Sequence, residues 1–366
     1  MEQFNPMLFF SRLILFLLIN IFSLQADAQM GKNGAFSTST AITLNDYTSL
    51  TADANSGSTN LTVSNSALQT NFTVGLAAGD LIYIIQIQGA SMTFPDDSTY
   101  GTLISYNNCG NNEFAEVVSV PSSTQINISC GLKNSYSASG HTQVIRVPRL
   151  TTLTVGSGGS VVCPAWNGAT GGAIILEVQN GITVNTGGTI NASGKGFRGG
   201  INAYDNNTWY GVNNYVYPTD DFGAEKGEGI GGSVTDYDAM SGRYCKGAPI
   251  NGGGGGNGHN AGGGGGGNCG PLPWTGRGNP DLSTAGWASA WNLEYSGFAS
   301  STSSGGGKGG YTFSGSNQNA LTVGTFNSLW GGDQRRDNGG RGGRPLNYSS
   351  GKNFLGGGGG AGDQNN

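Results

Sequence analysis

The residue types that carry most enzymatic chemistry are scarce in this 366-residue chain. It holds two histidines, His141 and His259, and no G-x-S-x-G nucleophile elbow. His141 leads a run of strand formers and reads as a surface residue, whereas His259 sits amid glycine, where its ring can hydrogen-bond backbone. Carboxylates occur as adjacent pairs, Asp96-Asp97 and Asp220-Asp221. Glycoside cleavage needs two carboxylates opposed across a bond, and adjacency in sequence does not supply that. Asp220 and Asp221, with Asp236 and Asp238 of TDYD, can donate oxygens to calcium. Solvated loops are the preferred reading of these acids, so calcium is the one metal left open. No catalytic residue and no other cofactor is assigned.

Two glycine motifs fail on their context. GEGIGG (Gly227–Gly232) spells G-x-G-x-x-G, but dinucleotide binding needs a strand before it, a helix after it and an acid about 20 residues on. The following SVTDYDAMSG reads as turns rather than helix. GGNGHNAG (Gly255–Gly262) approaches the calcium nonapeptide G-G-x-G-x-D-x-U-x. Asn260 replaces its acid and Gly262 its large apolar residue, so the charge that attracts calcium is missing.

The five cysteines are Cys109, Cys130, Cys163, Cys245 and Cys269. An odd number leaves one thiol over after at most two bridges. Cys109 and Cys130 share a strand-rich region, and Cys245 and Cys269 bracket a glycine run; these are the candidate disulfides. No CxxC or Cys/His cluster suggests zinc.

Oxidising surroundings are expected from the N-terminus. Arg12 precedes the apolar run Leu13–Leu24, and Ala26-Asp27-Ala28 forms an A-x-A signal. Residues 1–28 therefore read as a secretory signal peptide cut between Ala28 and Gln29. The run is short of the roughly 20 residues that span a bilayer, and no later segment is apolar enough, so no membrane span is expected in the mature chain. Charged residues make up only 11% and the net charge is −5. Nothing resembles the basic face of a nucleic-acid binder; RRDNGGRGGR (Arg335–Arg344) reads as a solvated turn.

The elements that would position any site are strands. Residues 29–150 contain TNLTVSN (59–65), LIYIIQIQ (81–88), FAEVVSV and TQINIS joined by a Pro/Ser turn (114–129), and HTQVIRVP (141–148). Strands at this spacing predict a small antiparallel sandwich or barrel. Then LTVGSGGSV (153–161) recurs as ITVNTGGTI (182–190), with the buried-type strand GGAIILEV (171–178) between them. A fixed period of strand and Gly-Gly corner predicts a parallel β-helix-like unit over 151–200. LTVGTFNSL (321–329) is a degraded third copy.

The rest, 201–366, is dominated by glycine. In GGGGGNGHNAGGGGGG (Gly252–Gly267) twelve of sixteen residues are glycine. Trp209, Trp274, Trp287, Trp291 and Trp330 fall among the runs, unlike a Gly/Ser linker. Glycine segments with a three-residue extended twist can pack side by side because no Cβ intervenes. A packed region with aromatics sealing its outside is expected.

AAGDLIYIIQIQGA (77–90), GTLISYNNCGNNEFAEVVSV (101–120), VPRLTTLTV (147–155), CPAWNGATGGAIILEV (163–178), INASGKGFRGG (190–200) and FLGGGGGAGDQNN (354–366) resemble the N-terminal and glycine-rich parts of large secreted surface proteins of Bacteroidetes-type and gliding bacteria. That resemblance implies an adhesin-like protein, outer-membrane associated, exported by type IX secretion, whose longer members end in repeats and a sorting domain. The chain stops at Asn366 just past a glycine run, so a fragment is expected. The function expected is structural or adhesive, without catalysis, with surface glycans or other surface proteins as partners. The alternatives are a polysaccharide-active β-helix enzyme (lyase or hydrolase) and a carbohydrate-binding module.

Overall fold

The computed structural model describes residues 30–97, 99–204, 214–257, 261–268, 339–347 and 350–364. The signal peptide with Ala28 and Gln29, His259, Cys269, the five tryptophans among the glycine runs and the 321–329 repeat lie outside the described residues. What is described is all-β apart from two short helical turns.

Six antiparallel strands lie side by side in the order Asp46–Ser49, Thr142–Val147, Leu81–Gln86, Asn112–Ser122, Gln125–Ile128, Asn60–Thr62. The two outer strands then meet through a Leu50–Val63 bridge, with Thr51 N–H donating to Thr62 O and Ser64 N–H to Ser49 O, both at 2.9 Å. The sheet is therefore a closed barrel, which leaves no free edge. Leu61, Val63, Ile82, Ile84, Val117, Ile126 and Val144 fill its interior. Tyr83, Ile85, Ile145 and Val147 point the other way and join a second core with Phe197, Ile230, Ile250 and Leu355. Burial on both faces explains why LIYIIQ is a continuous apolar run rather than an alternating one.

The β-helix-like unit is a parallel stack of three rungs. Leu153–Val155 lies between Phe36–Thr38 and Ile182–Val184, and Ser160–Val162 between Ala41–Thr43 and Thr189–Asn191. Leu153, Val155 and Val161 form its core with Phe36, Ile42, Ile174 and Leu176. The Gly-Gly corners divide their labour: Gly158 and Gly187 take φ of 77° and 82°, which only glycine adopts freely. A Cβ on Gly159 would lie 2.6 Å from Thr38 O, and one on Gly188 2.7 Å from Val155 O. The second glycine of each corner thus makes room for the rung beneath it. On the last rung Ile182, Val184 and Ile190 are 48%, 46% and 40% exposed.

Two details depart from the sequence reading. The first rung, 36–43, comes from within the segment assigned to the N-terminal domain, so the stack straddles the barrel in sequence. In GGAIILEV only Glu177–Val178 pairs as a strand, with Arg149–Leu150. Barrel side chains satisfy the preceding backbone instead. Gln143 exchanges two 3.0 Å hydrogen bonds with Gly171, and Asn45 binds Ile175 O at 2.7 Å and Ile175 N–H at 3.0 Å.

The glycine-rich region is a bundle of extended rods. Gly253 and Gly256 donate to Gly358 and Ala361 of one neighbour, Gly254 to Arg341 of a second, and Gly255 to Cys245 of a third. Bonds to one partner recur every third residue, the repeat of a polyproline II helix. A Cβ on Gly253, Gly254 or Gly255 would fall 2.0, 2.0 or 1.9 Å from the carbonyl oxygen of Gly264, Lys246 or Ala224. The 252–256 rod is therefore walled in by backbone on every side.

A helix, Val234–Ala239, follows GEGIGG where turns were expected. Ser233 and Asp236 form its capping box, a Ser-x-x-Asp version of a helix-start signal. No strand precedes the motif; Ala224–Gly229 belongs to the bundle, bonded to Gly256 O, Gly253 O and Arg198 O.

Candidate functional site

Most of the acids weighed for catalysis or calcium bond to neighbouring backbone or side chains. Asp96 accepts from Asn214 Nδ2 at 2.9 Å and Tyr215 N–H at 2.6 Å. Asp97 instead caps Thr99, whose N–H and hydroxyl bind it at 2.7 and 2.6 Å and hold its carboxyl below the usual range. Asp220 opens a short 3-10 turn, and Asp221 accepts from the Thr219 hydroxyl at 2.7 Å. Asp238 pairs with Arg243 at 2.9 Å, while Asp236 caps its helix. Among the described residues no three acidic, histidine or cysteine side chains come together as a metal site.

The cysteine expectation is corrected for one pair. Cys109 and Cys130 are free thiols: Cys109 is buried, donating to Ile87 O at 3.2 Å, and Cys130 is exposed. Burial pushes the Cys109 thiol up to about 12, which leaves it an inert core group. Cys245 is also buried and free. Burial raises its pKa to about 12 as well, opposed by the nearby Lys226.

Lys226, unremarkable in the sequence, is fully buried where barrel and bundle meet. Its ammonium donates to Tyr215 O at 2.9 Å, to Cys245 O at 2.8 Å and to Tyr244 O, and stands 5.0 Å over the Tyr100 ring. Burial drives its pKa down to about 7, against the pull of Cys245 and Asp96. Three acceptors for three N–H donors make this a structural clamp: one side chain ties together three carbonyls, two of which, Tyr215 O and Cys245 O, also accept from Gly247 and Gly255 N–H. A lysine amid glycine gives no sequence signal of such a role.

A cavity opens near this junction. It has a volume of about 430 Å³ and is lined by Ala90, Met92 and Phe94 in and beside the short strand Ser91–Met92, which pairs with Leu103–Ser105 outside the barrel, by His141 from the turn before Thr142, by Asp236 of the helix and by Met240 just past its end. His141 takes φ of 52°, with its N–H on Ala138 O. Its ring stands edge-on to the buried Trp166, centroids 6.3 Å apart. The sequence marked His141 as a surface residue and Asp236 as a loop acid; the fold brings both to one cavity.

Comparison with known proteins adds little here. No protein-family description and no curated protein matches the chain. Among solved structures it is similar to three phage tailspikes, each with a TM-score of 0.20. The Gp54 tailspike of Acinetobacter baumannii bacteriophage AP22, solved with a capsular saccharide, is 14% identical over 41% of this chain and 28% of its own. The Pseudomonas phage phi297 tailspike gp61 is 13% identical over 46% and 27%, and the Pseudomonas phage LKA1 tailspike gp49 is 13% identical over 47% and 29%. The chain spans under a third of each tailspike, and a likeness this slight carries no argument about function.

Proposed function

We propose that this chain is a secreted, surface-attached body of the glycine-rich adhesin-like kind, which holds and displays rather than transforms. The observation that carries the reading is the walled-in 252–256 rod, where a Cβ on Gly254 would lie 2.0 Å from Lys246 O. A region built by backbone-to-backbone contact is stiff and presents few reactive groups. Lys226 and several of the acids described above, Asp96 and Asp238 among them, bond within that framework. Such a body suits the base of a longer surface structure.

The test is location and activity together. Protease shaving of intact cells that produce the protein should release its peptides before any periplasmic marker. Purified protein incubated with a broad polysaccharide panel should produce neither new reducing ends nor the ultraviolet absorbance of unsaturated lyase products. Retention inside the cell, or turnover of any polysaccharide that survives repurification, would overturn the reading.

A further inference from the structure

The cavity beside His141 has a chemistry that the display role does not use. Asp236 and His141 line it, each with acceptor capacity that no protein donor takes up among the described residues. Asp236 receives Ser233 N–H and Ser233 Oγ on Oδ2, at 2.7 and 2.8 Å, and among the described residues no hydrogen bond reaches its Oδ1. The imidazole of His141 likewise has no hydrogen-bond partner among them, only the edge contact with Trp166. Met92, Phe94 and Met240 supply apolar surface, and no lysine or arginine lines the cavity. A volume of about 430 Å³ is within the range of small-molecule sites.

We propose that this cavity binds an uncharged or amine-bearing sugar ring. Its hydroxyl or ammonium donors would meet Asp236 and His141, and its C–H face would lie on Met92, Phe94 and Met240. The sign of the charge follows from the lining. An acidic sugar would bring a second carboxylate towards Asp236 with no cation to offset it, and like charges at close range disfavour binding. An aliphatic ligand without donors would leave the carboxylate desolvated and unpaired. A sugar ring combines the two surfaces needed. This goes beyond the display role, which stands whether or not the cavity is occupied.

Three oligosaccharide probes of equal length separate the outcomes: a glucosamine oligomer, a neutral gluco-oligomer and an oligogalacturonate, each titrated calorimetrically into the full chain. The glucosamine or neutral oligomer should bind, and the galacturonate at least tenfold more weakly. His141→Asn keeps a residue that tolerates a left-handed backbone and should weaken binding at least tenfold. Met240→Arg, at a rim position that is 39% exposed, removes apolar contact and adds a cation. It should weaken the preferred probe and strengthen the galacturonate. Unchanged thermal melts would show that both variants fold. Binding of none of the probes, galacturonate binding as tight as the others, or binding unmoved in both folded variants would overturn the proposal.

Discussion

The barrel and the glycine bundle solve the same problem with opposite materials. In the barrel, backbone is satisfied by strand ladders, and stability comes from side chains such as Ile82, Ile84 and Val144 filling the interior. In the bundle there is almost nothing to fill. Rods bond to three neighbours in turn, and side chains are absent where the rods touch. The lesson is that one chain contains two senses of "core". One fails when atoms are removed and the other when atoms are added.

That contrast can be broken by mutation. The largest effect is expected for Gly254→Ala, which places a methyl group 2.0 Å from Lys246 O and 2.5 Å from its carbonyl carbon. Rigid backbone cannot yield as a side chain does, so the loss should reach about 3 kcal/mol or more. Amide exchange should rise across 252–256 and 357–361 while the barrel strands stay protected. A fully protected bundle in this variant would refute close packing. Next comes Ile84→Ala, which should cost about 3 kcal/mol by cavity formation, read from denaturant midpoints. If it costs as little as a surface change, the closed barrel is wrong.

A smaller effect concerns Lys226. Its folded pKa, about 7, lies below its ordinary 10.5, so above pH 7 the unfolded chain holds more protons than the folded one. Stability should therefore rise with pH from about 7 to 9, by on the order of 1–2 kcal/mol. Above 9 the raised thiols, Cys109 and Cys245 among them, act with the opposite sign. Lys226→Met should abolish the rise between pH 7 and 9 while lowering stability at neutral pH; a rise that persists in this variant would assign it elsewhere. The smallest effect is expected at Gly57, where φ is 89° but a Cβ would meet nothing within 4 Å. Gly57→Ala should cost only the left-handed strain, about 1 kcal/mol. A loss as large as that at Gly254 would remove the distinction between backbone strain and backbone contact.

How far the sequence could be read follows the same division. The barrel strands were legible because β-rich runs are local signals, and Asn112–Ser122 does pair with Gln125–Ile128, although Pro121 and Ser122, read as turn, lie in the strand and the turn is Ser123–Thr124. The 29-residue spacing also identified two rungs, seen in the Ser160–Thr189 contact. The third rung escaped because Phe36–Thr43 has no Gly-Gly corner. It lies at the end of the stack, with no rung beneath it to demand the second glycine. The helix at Val234 was masked by residues that read as turns, although its Ser233–Asp236 box was available as a cue. The cavity was not legible at all. His141 and Asp236 are brought together by packing between barrel and bundle, and nothing in their spacing encodes that.

The three-way bonding of the central rod has a mechanical consequence. When a hairpin is pulled from its end, its hydrogen bonds open one at a time, like a zip. A strand gripped by Gly358 and Ala361 on one side, Arg341 on another and Cys245 on a third cannot be peeled from a single partner. Tension along it must shear bonds in several directions at once, so the load is shared and the segment yields late.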